Sequence, residues 1–130
     1  MRNNSKKILI VEDEALVGMM LARMVESHGF CVCDVVGTGE EAVAAYHSHD
    51  PGVILMDVSL GGSMDGIDAG REIRLTSEVP IVFFTGYYRD QNLLKRAEDI
   101  RPLAVLDKLG AIDELVAILD SAFPLPDSFA

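Results

Sequence analysis

The sequence predicts a doubly wound α/β fold, a parallel sheet with helices on both faces, on three observations. Five short, unbroken apolar runs are spread along the 130 residues. Segments of helical spacing separate them, and carboxylates, a hydroxyl and an ammonium gather where the runs end. Runs this short and continuous suit strands covered on both faces, where no polar alternation is left. Regular alternation of strand and helix is the pattern of a parallel sheet.

The first run, KILIV at 7–11, stops at Glu12, Asp13 and Glu14. Leu16, Met19, Met20, Arg23 and Met24 follow at helical intervals, with Gly29 as the stop, and the methionines are expected to pack inward. The second run, CVCDVVG at 31–37, holds both cysteines two positions apart, read as reduced packing residues. An alanine-rich helix from Glu40 to His49 ends before Pro51, and its histidines read as solvated rather than as ligands.

VILMD at 53–57 is the third run, and LGGSMDG at 60–66 reads as a turn. A helix from Ile67 to Thr76 places Ile67, Gly70 or Arg71, and Ile73 or Arg74 on successive turns. After the fourth run, IVFFT at 81–85, Asp90 caps a short polar segment expected to be poorly anchored, with Leu93, Leu94 and Ala97 before Pro102. LAVLD at 103–107 is the fifth run, and Asp113 or Ala111 opens a last helix carrying Leu115, Ile118, Leu119 and Ala122. Residues 1–123 thus read as one domain, with 124–130 as a frayed tail holding two prolines and no second domain expected.

Composition narrows the function. A hydrophobic content of 49% suits one core, and a formal charge of −10 repels nucleic-acid phosphates, so direct DNA or RNA binding is not expected. The apolar runs are too short to span a bilayer or to form a signal-peptide core, and a cytoplasmic protein is expected. In open parallel sheets ligands bind outside the carboxyl ends of the strands. Those ends carry Glu12, Asp13, Asp57, Thr85 and Lys108. Several carboxylates on one edge suit a hard divalent cation such as Mg2+. A carboxylate beside that cation can attack an activated phosphoryl group, with Lys108 and Thr85 placed to hold its oxygens.

These residues, in VEDE, ILMDVSL, FFTG and VLDK, together with MDGIDAGREIR at 64–74, resemble the receiver domain of bacterial response regulators from about Lys6 to Phe123. The resemblance implies a flavodoxin-like fold of five strands in the order 2-1-3-4-5. It implies that Asp57 accepts phosphoryl from a phosphohistidine on a sensor histidine kinase or a histidine phosphotransfer protein. Asp13, Asp57 and the backbone carbonyl of Ser59 would ligate Mg2+, with Glu12 acting through bound water. Thr85 and Lys108 would bind the phosphoryl oxygens, and Gly86 would leave room for the donor. The expected protein is a stand-alone receiver that relays phosphoryl onward, drains it from a shared kinase as a sink, or docks on a downstream protein target; its oligomeric state is open.

Two departures stand out. Where the family usually has an aromatic residue three before the lysine there is Val105, and Leu109 follows Lys108 in place of proline. FFTGYY at 83–88 is similar instead to a subgroup with the pattern Phe-Ala-Thr-Gly-x-Tyr, nicknamed FATGUY, with Phe84 in place of its alanine. A switch through Tyr87 and Tyr88, which follow Thr85, is then expected. The alternative is a small Mg2+-dependent phosphatase with an aspartate nucleophile, but MDVSL lacks the second acid such enzymes usually carry. A flavin carrier of similar architecture would need a phosphate-cradling loop where VEDEALV puts acids.

Overall fold

The computed structural model describes residues 6–123; the tail expected at 124–130 lies outside the described residues. Five strands, β1 (Lys7–Val11), β2 (Cys31–Val36), β3 (Val53–Asp57), β4 (Ile81–Thr85) and β5 (Ala104–Asp107), alternate with five helices. These are α1 (Ala15–Glu26), α2 (Gly39–His49), α3 (Gly66–Arg74), α4 (Gln91–Ala97) and α5 (Ile112–Ser121). A 3₁₀ turn, Glu98–Ile100, extends α4. The strands form one sheet in the order β2-β1-β3-β4-β5, every pair parallel.

Burial explains that order. Every residue of β3 and β4 is buried, and β1 is buried from Ile8 onward, whereas β2 and β5 at the edges are only partly covered. Leu9, Val11, Ile54, Met56, Ile81 and Phe83 pack on one side with Ala42, Ile67, Ile73 and Ile100, so α2, α3 and the 3₁₀ turn share that face. Ile8, Ile10, Leu55, Val82 and Phe84 pack on the other with Val25 of α1 and Leu119 of α5. Each such side chain contributes about 1.5–3 kcal/mol when fully buried. A one-residue slip would exchange the two sets, so the register is tightly specified.

The expected inward stripe of α1 is its outward one. Leu16, Met19, Met20 and Met24 are exposed, and the helix buries Gly18 and Val25, with Leu21 and Ala22 packed beside them. The reason is distance. A Cβ at Gly18 would lie 2.8 Å from Val35 Cγ1, so only the small-residue stripe lets α1 approach the sheet.

In β2 the pairing jumps from Ile8↔Val32 to Leu9↔Asp34, which bulges Cys33 out of the ladder and inverts the alternation beyond it. Asp34 closes the bulge by accepting from the Val35 N–H at 2.9 Å. Cys33 is half-buried, but Cys31 starts an edge strand and is exposed, not packed as expected; both are free thiols.

The segment after β4 is better anchored than expected at its far end. Ala97 and Ile100 are buried, Arg71 Nη2 donates to the Arg96 carbonyl at 2.9 Å, and Arg74 Nε donates to the Ile100 carbonyl at 2.8 Å. A second nitrogen of Arg74, Nη1, donates to the carbonyls of Ser77 and Val79, so one guanidinium holds the loop into β4 as well.

Helix starts follow local chemistry. Thr38 Oγ1 accepts from the Glu41 N–H and so opens α2 ahead of the expected Glu40; Asp90 caps α4 as expected. Asp65 and Asp68 form a reciprocal capping box at α3, with N···O distances of 2.8 and 3.1 Å. Arg96 reaches Asp65 at 3.1 Å and so ties α4 to that cap.

Partial burial works to raise the Asp65 carboxyl, but the Asp68 N–H and Arg96 prevail and hold it below its ordinary value of 3.8. A depressed folded value means the cap's contribution is fully present above that pH and is lost as pH falls through the lower folded value. Asp65→Ala is therefore expected to cost about 1 kcal/mol at neutral pH. In acid the gap to wild type should close; urea denaturation under both conditions measures it.

Candidate functional site

The carboxyl ends of β1, β3, β4 and β5 deliver the site. β1 runs into Glu12 and Asp13, and the Glu12 N–H donates to the Val36 carbonyl at 2.9 Å, so the first acid is still part of the sheet. Asp57 ends β3 and Thr85 ends β4, on neighbouring strands whose register pairs Asp57 with Phe84. Lys108 follows β5 directly. Ligand oxygens of Glu12, Asp13 and Asp57 lie within 4.8 Å of one another. Asp13 is exposed, whereas Glu12 and Asp57 are each 2% exposed, so two of the three carboxylates are held out of water.

Lys108 makes that burial tolerable. Its Nζ donates to Asp57 Oδ2 at 2.9 Å and stands 3.0 Å from Glu12 Oε1. The second contact lacks hydrogen-bond angles, which leaves Glu12 Oε1 buried with no hydrogen-bond partner. Glu12 Oε2 accepts from the Glu14 N–H at 2.9 Å. Desolvation pushes the Glu12 carboxyl above its ordinary range, and this outweighs the lowering by the Glu14 N–H and Lys108. For Lys108, desolvation works to lower the ammonium, but Asp57 and Glu12 together hold it above its usual value.

One ammonium among three carboxylates leaves the cluster short of positive charge. The donor set is all oxygen, one face is open at Asp13, and the buried Glu12 Oε1 has an ion contact to Lys108 but no hydrogen bond. These features fit a hard divalent cation that keeps some waters, such as Mg2+. Asp57 is also held from its other side, because the Ser59 N–H donates to Oδ1 at 3.0 Å.

Thr85 is buried, and its Oγ1 accepts from the Tyr87 N–H at 3.1 Å. The hydroxyl proton therefore remains available to a further acceptor. Gly86 is exposed, with open space where a Cβ would stand. The tyrosine rings lie apart from the carboxylates: Tyr87 is 66% exposed, and Tyr88 stacks under Arg89 at 5.2 Å. Only the Tyr87 backbone reaches the site. His47 and His49 join no metal-ligating group among the described residues.

Two contributors escaped the sequence reading. Phe84 lies under Lys108, its ring centroid 5.6 Å from Nζ. Gly66, which opens α3, approaches the strand end so closely that a Cβ would overlap the Asp57 carbonyl oxygen. Gly66 falls within MDGIDAGREIR, which marks a helix start in the sequence but not this close approach.

A family model for the response regulator receiver domain matches residues 8–120. The transcriptional regulatory protein PdtaR of Mycobacterium tuberculosis is 37% identical over 117 residues, covering 90% of this chain and 56% of PdtaR. The phyllosphere-induced regulator PhyR of Methylorubrum extorquens is 44% identical over 82 residues, covering 62% of this chain and 31% of PhyR. The chain therefore spans about half or less of the length of these curated relatives. Among solved structures, the signal receiver domain of a modulated diguanylate cyclase from Desulfovibrio desulfuricans superposes with a TM-score of 0.84 at 32% identity. That match covers 92% of this chain and 94% of the other. The chain belongs to the response regulator receiver domain family, and its strand order is that of the family's flavodoxin-like fold.

Removing the cation from a buried cluster should be costly. Lys108→Met is expected to lower unfolding free energy by about 3 kcal/mol, because Glu12 and Asp57 then face each other uncompensated. Adding Glu12→Gln should recover part of the loss, since one buried charge remains in place of two. Urea unfolding of both variants measures this, and equal stabilities for the two would count against the cluster as described.

Proposed function

We propose that this receiver domain accepts a phosphoryl group on Asp57 from a phosphohistidine of a sensor histidine kinase or phosphotransfer protein, and passes the change to a protein partner. The observation that carries the reading is the meeting of Glu12, Asp13, Asp57 and Lys108 at one strand-end edge, with Asp57 fixed from both sides. Asp13, Asp57 and the Ser59 carbonyl would hold Mg2+, with Glu12 behind them. When bound, that ion supplies positive charge to the phosphoryl oxygens and screens the carboxylates from one another.

An Asp57 carboxylate oxygen bonds to phosphorus as the phosphorus–nitrogen bond of the donor breaks, its electron pair leaving with the imidazole. Lys108, already 2.9 Å from Oδ2, turns its ammonium toward a phosphoryl oxygen. Thr85 donates its free hydroxyl proton to another. Gly86 leaves that approach open.

The surroundings support a protein donor. Leu16, Met19, Met20 and Leu109 are exposed large apolar residues, and a groove between α1 and the Lys108 loop is lined by apolar residues such as Leu21, Met24, Ile112 and Leu115 together with Asp107, Lys108 and Glu114. Apolar surface on this scale beside a reactive edge is the mark of an interaction site. The position two beyond Asp57 is Ser59 rather than a second acid, which favours a phosphoacceptor over a phosphatase acting on external substrates. A cytoplasmic location follows from the donor; among the described residues no helix is long and apolar enough to cross a membrane.

The response would pass through Tyr87 and Tyr88. A hydroxyl drawn toward phosphoryl pulls on the Tyr87 N–H bonded to it, and so on the loop into α4. The residues FFTGYY that carry the resemblance to the Phe-Ala-Thr-Gly-x-Tyr subgroup are the ones this route uses, in a chain whose Val105 offers no inward-turning ring.

Incubation with acetyl phosphate and Mg2+ is expected to add one phosphoryl mass to the wild type and none to Asp57→Asn by intact mass spectrometry. An adduct of equal size on the Asn variant would overturn the assignment of the acceptor. Hydrogen exchange tests the switch. Phosphorylation should change protection across residues 87–97 in the wild type, and Thr85→Val, which removes the hydroxyl bonded to the Tyr87 N–H, should lose most of that change.

A further inference from the structure

The connection from Asp57 to α3 does more than turn the chain. Gly61 pairs with Thr38 in an isolated parallel bridge, which brings the loop onto the start of α2. Ser63 Oγ donates to Glu40 Oε2 at 2.6 Å, the short distance of a hydroxyl bonded to a carboxylate. A Cβ at Gly39 would lie 2.8 Å from the Met64 carbonyl, so the two backbones are in contact there. The same turn of α2 is fixed on its other side. The Gly37 N–H donates to Glu41 Oε1 at 3.0 Å, and a Cβ at Gly37 would touch the Asp13 Cα at 3.7 Å. The segments bearing Asp13 and Ser59 are thus both seated on residues 37–41.

We propose that the Ser63–Glu40 hydrogen bond is a clasp that positions the loop following Asp57 for cation binding, with the first turn of α2 as the bracket between the two ligand-bearing segments. The inference rests on the reading that this edge holds Mg2+. Glu40 and Ser63 are positioning residues, acting through the loop backbone. A loop already seated does not have to be ordered when the cation arrives, and outer contacts that fix ligand-bearing segments raise metal affinity. Two glycines in the loop make such a fastening necessary, since glycine leaves more backbone freedom to be lost on ordering.

Calorimetric titration of the apo chain with Mg2+ alone, without phosphodonor, tests the clasp. Ser63→Ala keeps the Glu40 charge and removes only the bond; it is expected to weaken Mg2+ binding about fivefold, the worth of one net hydrogen bond. Glu40→Ala should match it, and the double substitution should bind no more weakly than either single one. Glu40→Gln, which keeps an oxygen for Ser63, should bind close to wild type. Unchanged affinity in Ser63→Ala would overturn the clasp, as would equal loss in Glu40→Gln and Glu40→Ala, which assigns the effect to charge. Wild type that fails to bind Mg2+, or binds regardless of Asp13→Asn, would overturn the cation reading itself.

Discussion

The contact between Lys108 Nζ and the buried carboxylates of Asp57 and Glu12 is what the rest of the molecule is arranged around. Two carboxylates nearly free of solvent contact would repel strongly in a medium that screens poorly. The ammonium offsets part of that, and its strand, β5, has to lie where its end meets those of β1 and β3. β4 stands between β3 and β5, so Thr85 is delivered to the same edge without any further device. Charge in the cluster is balanced well enough to fold and left net negative, which suits a cation. Stability and reactivity here draw on the same few groups.

The parts of this that could be read from residue order are those set by burial. β3 and β4 contain only buried residues, and a strand covered on both sides appears in sequence as an unbroken apolar run, so their bounds came out as expected. The strand ends then locate Asp57, Thr85 and Lys108, because a strand's end is where its apolar run stops. Helix orientation was harder. α1 carries apolar residues around much of its circumference, and periodicity favoured the stripe with the larger side chains. The packed stripe is the one with Gly18 and Ala22, since separation from Val35 decides the matter and volume on a helical wheel does not. A single residue out of step in β2 likewise leaves no trace in composition, yet it separates the environments of the two cysteines.

Loop contacts were the least accessible. Ser63 and Glu40 are 23 positions apart, both exposed, and of types that usually face water alone. Nothing local pairs them; the pairing follows from where the sheet sets β3 and α2. The same holds for Arg96 and Asp65, which join α4 to the helix start that follows β3. Through that pair the Tyr87 loop and the Asp57 loop, which diverge at the sheet, come together again on the outside. α4 is thus fastened at both ends, by the Asp90 cap at its start and by the Arg96–Asp65 pair near its end.

The kink at Cys33 has a bearing on how the protein behaves when crowded. β2 is one of the two open margins of the sheet, and a straight, regular margin is an invitation for a neighbouring polypeptide to add itself as a sixth strand. Here the spacing of amides and carbonyls along that margin is broken once, and Asp34 at the break accepts from the Val35 N–H and stands 3.4 Å from His49. An incoming strand would find its ladder out of phase partway along. One surplus residue thus makes that margin a poorer template for a further strand.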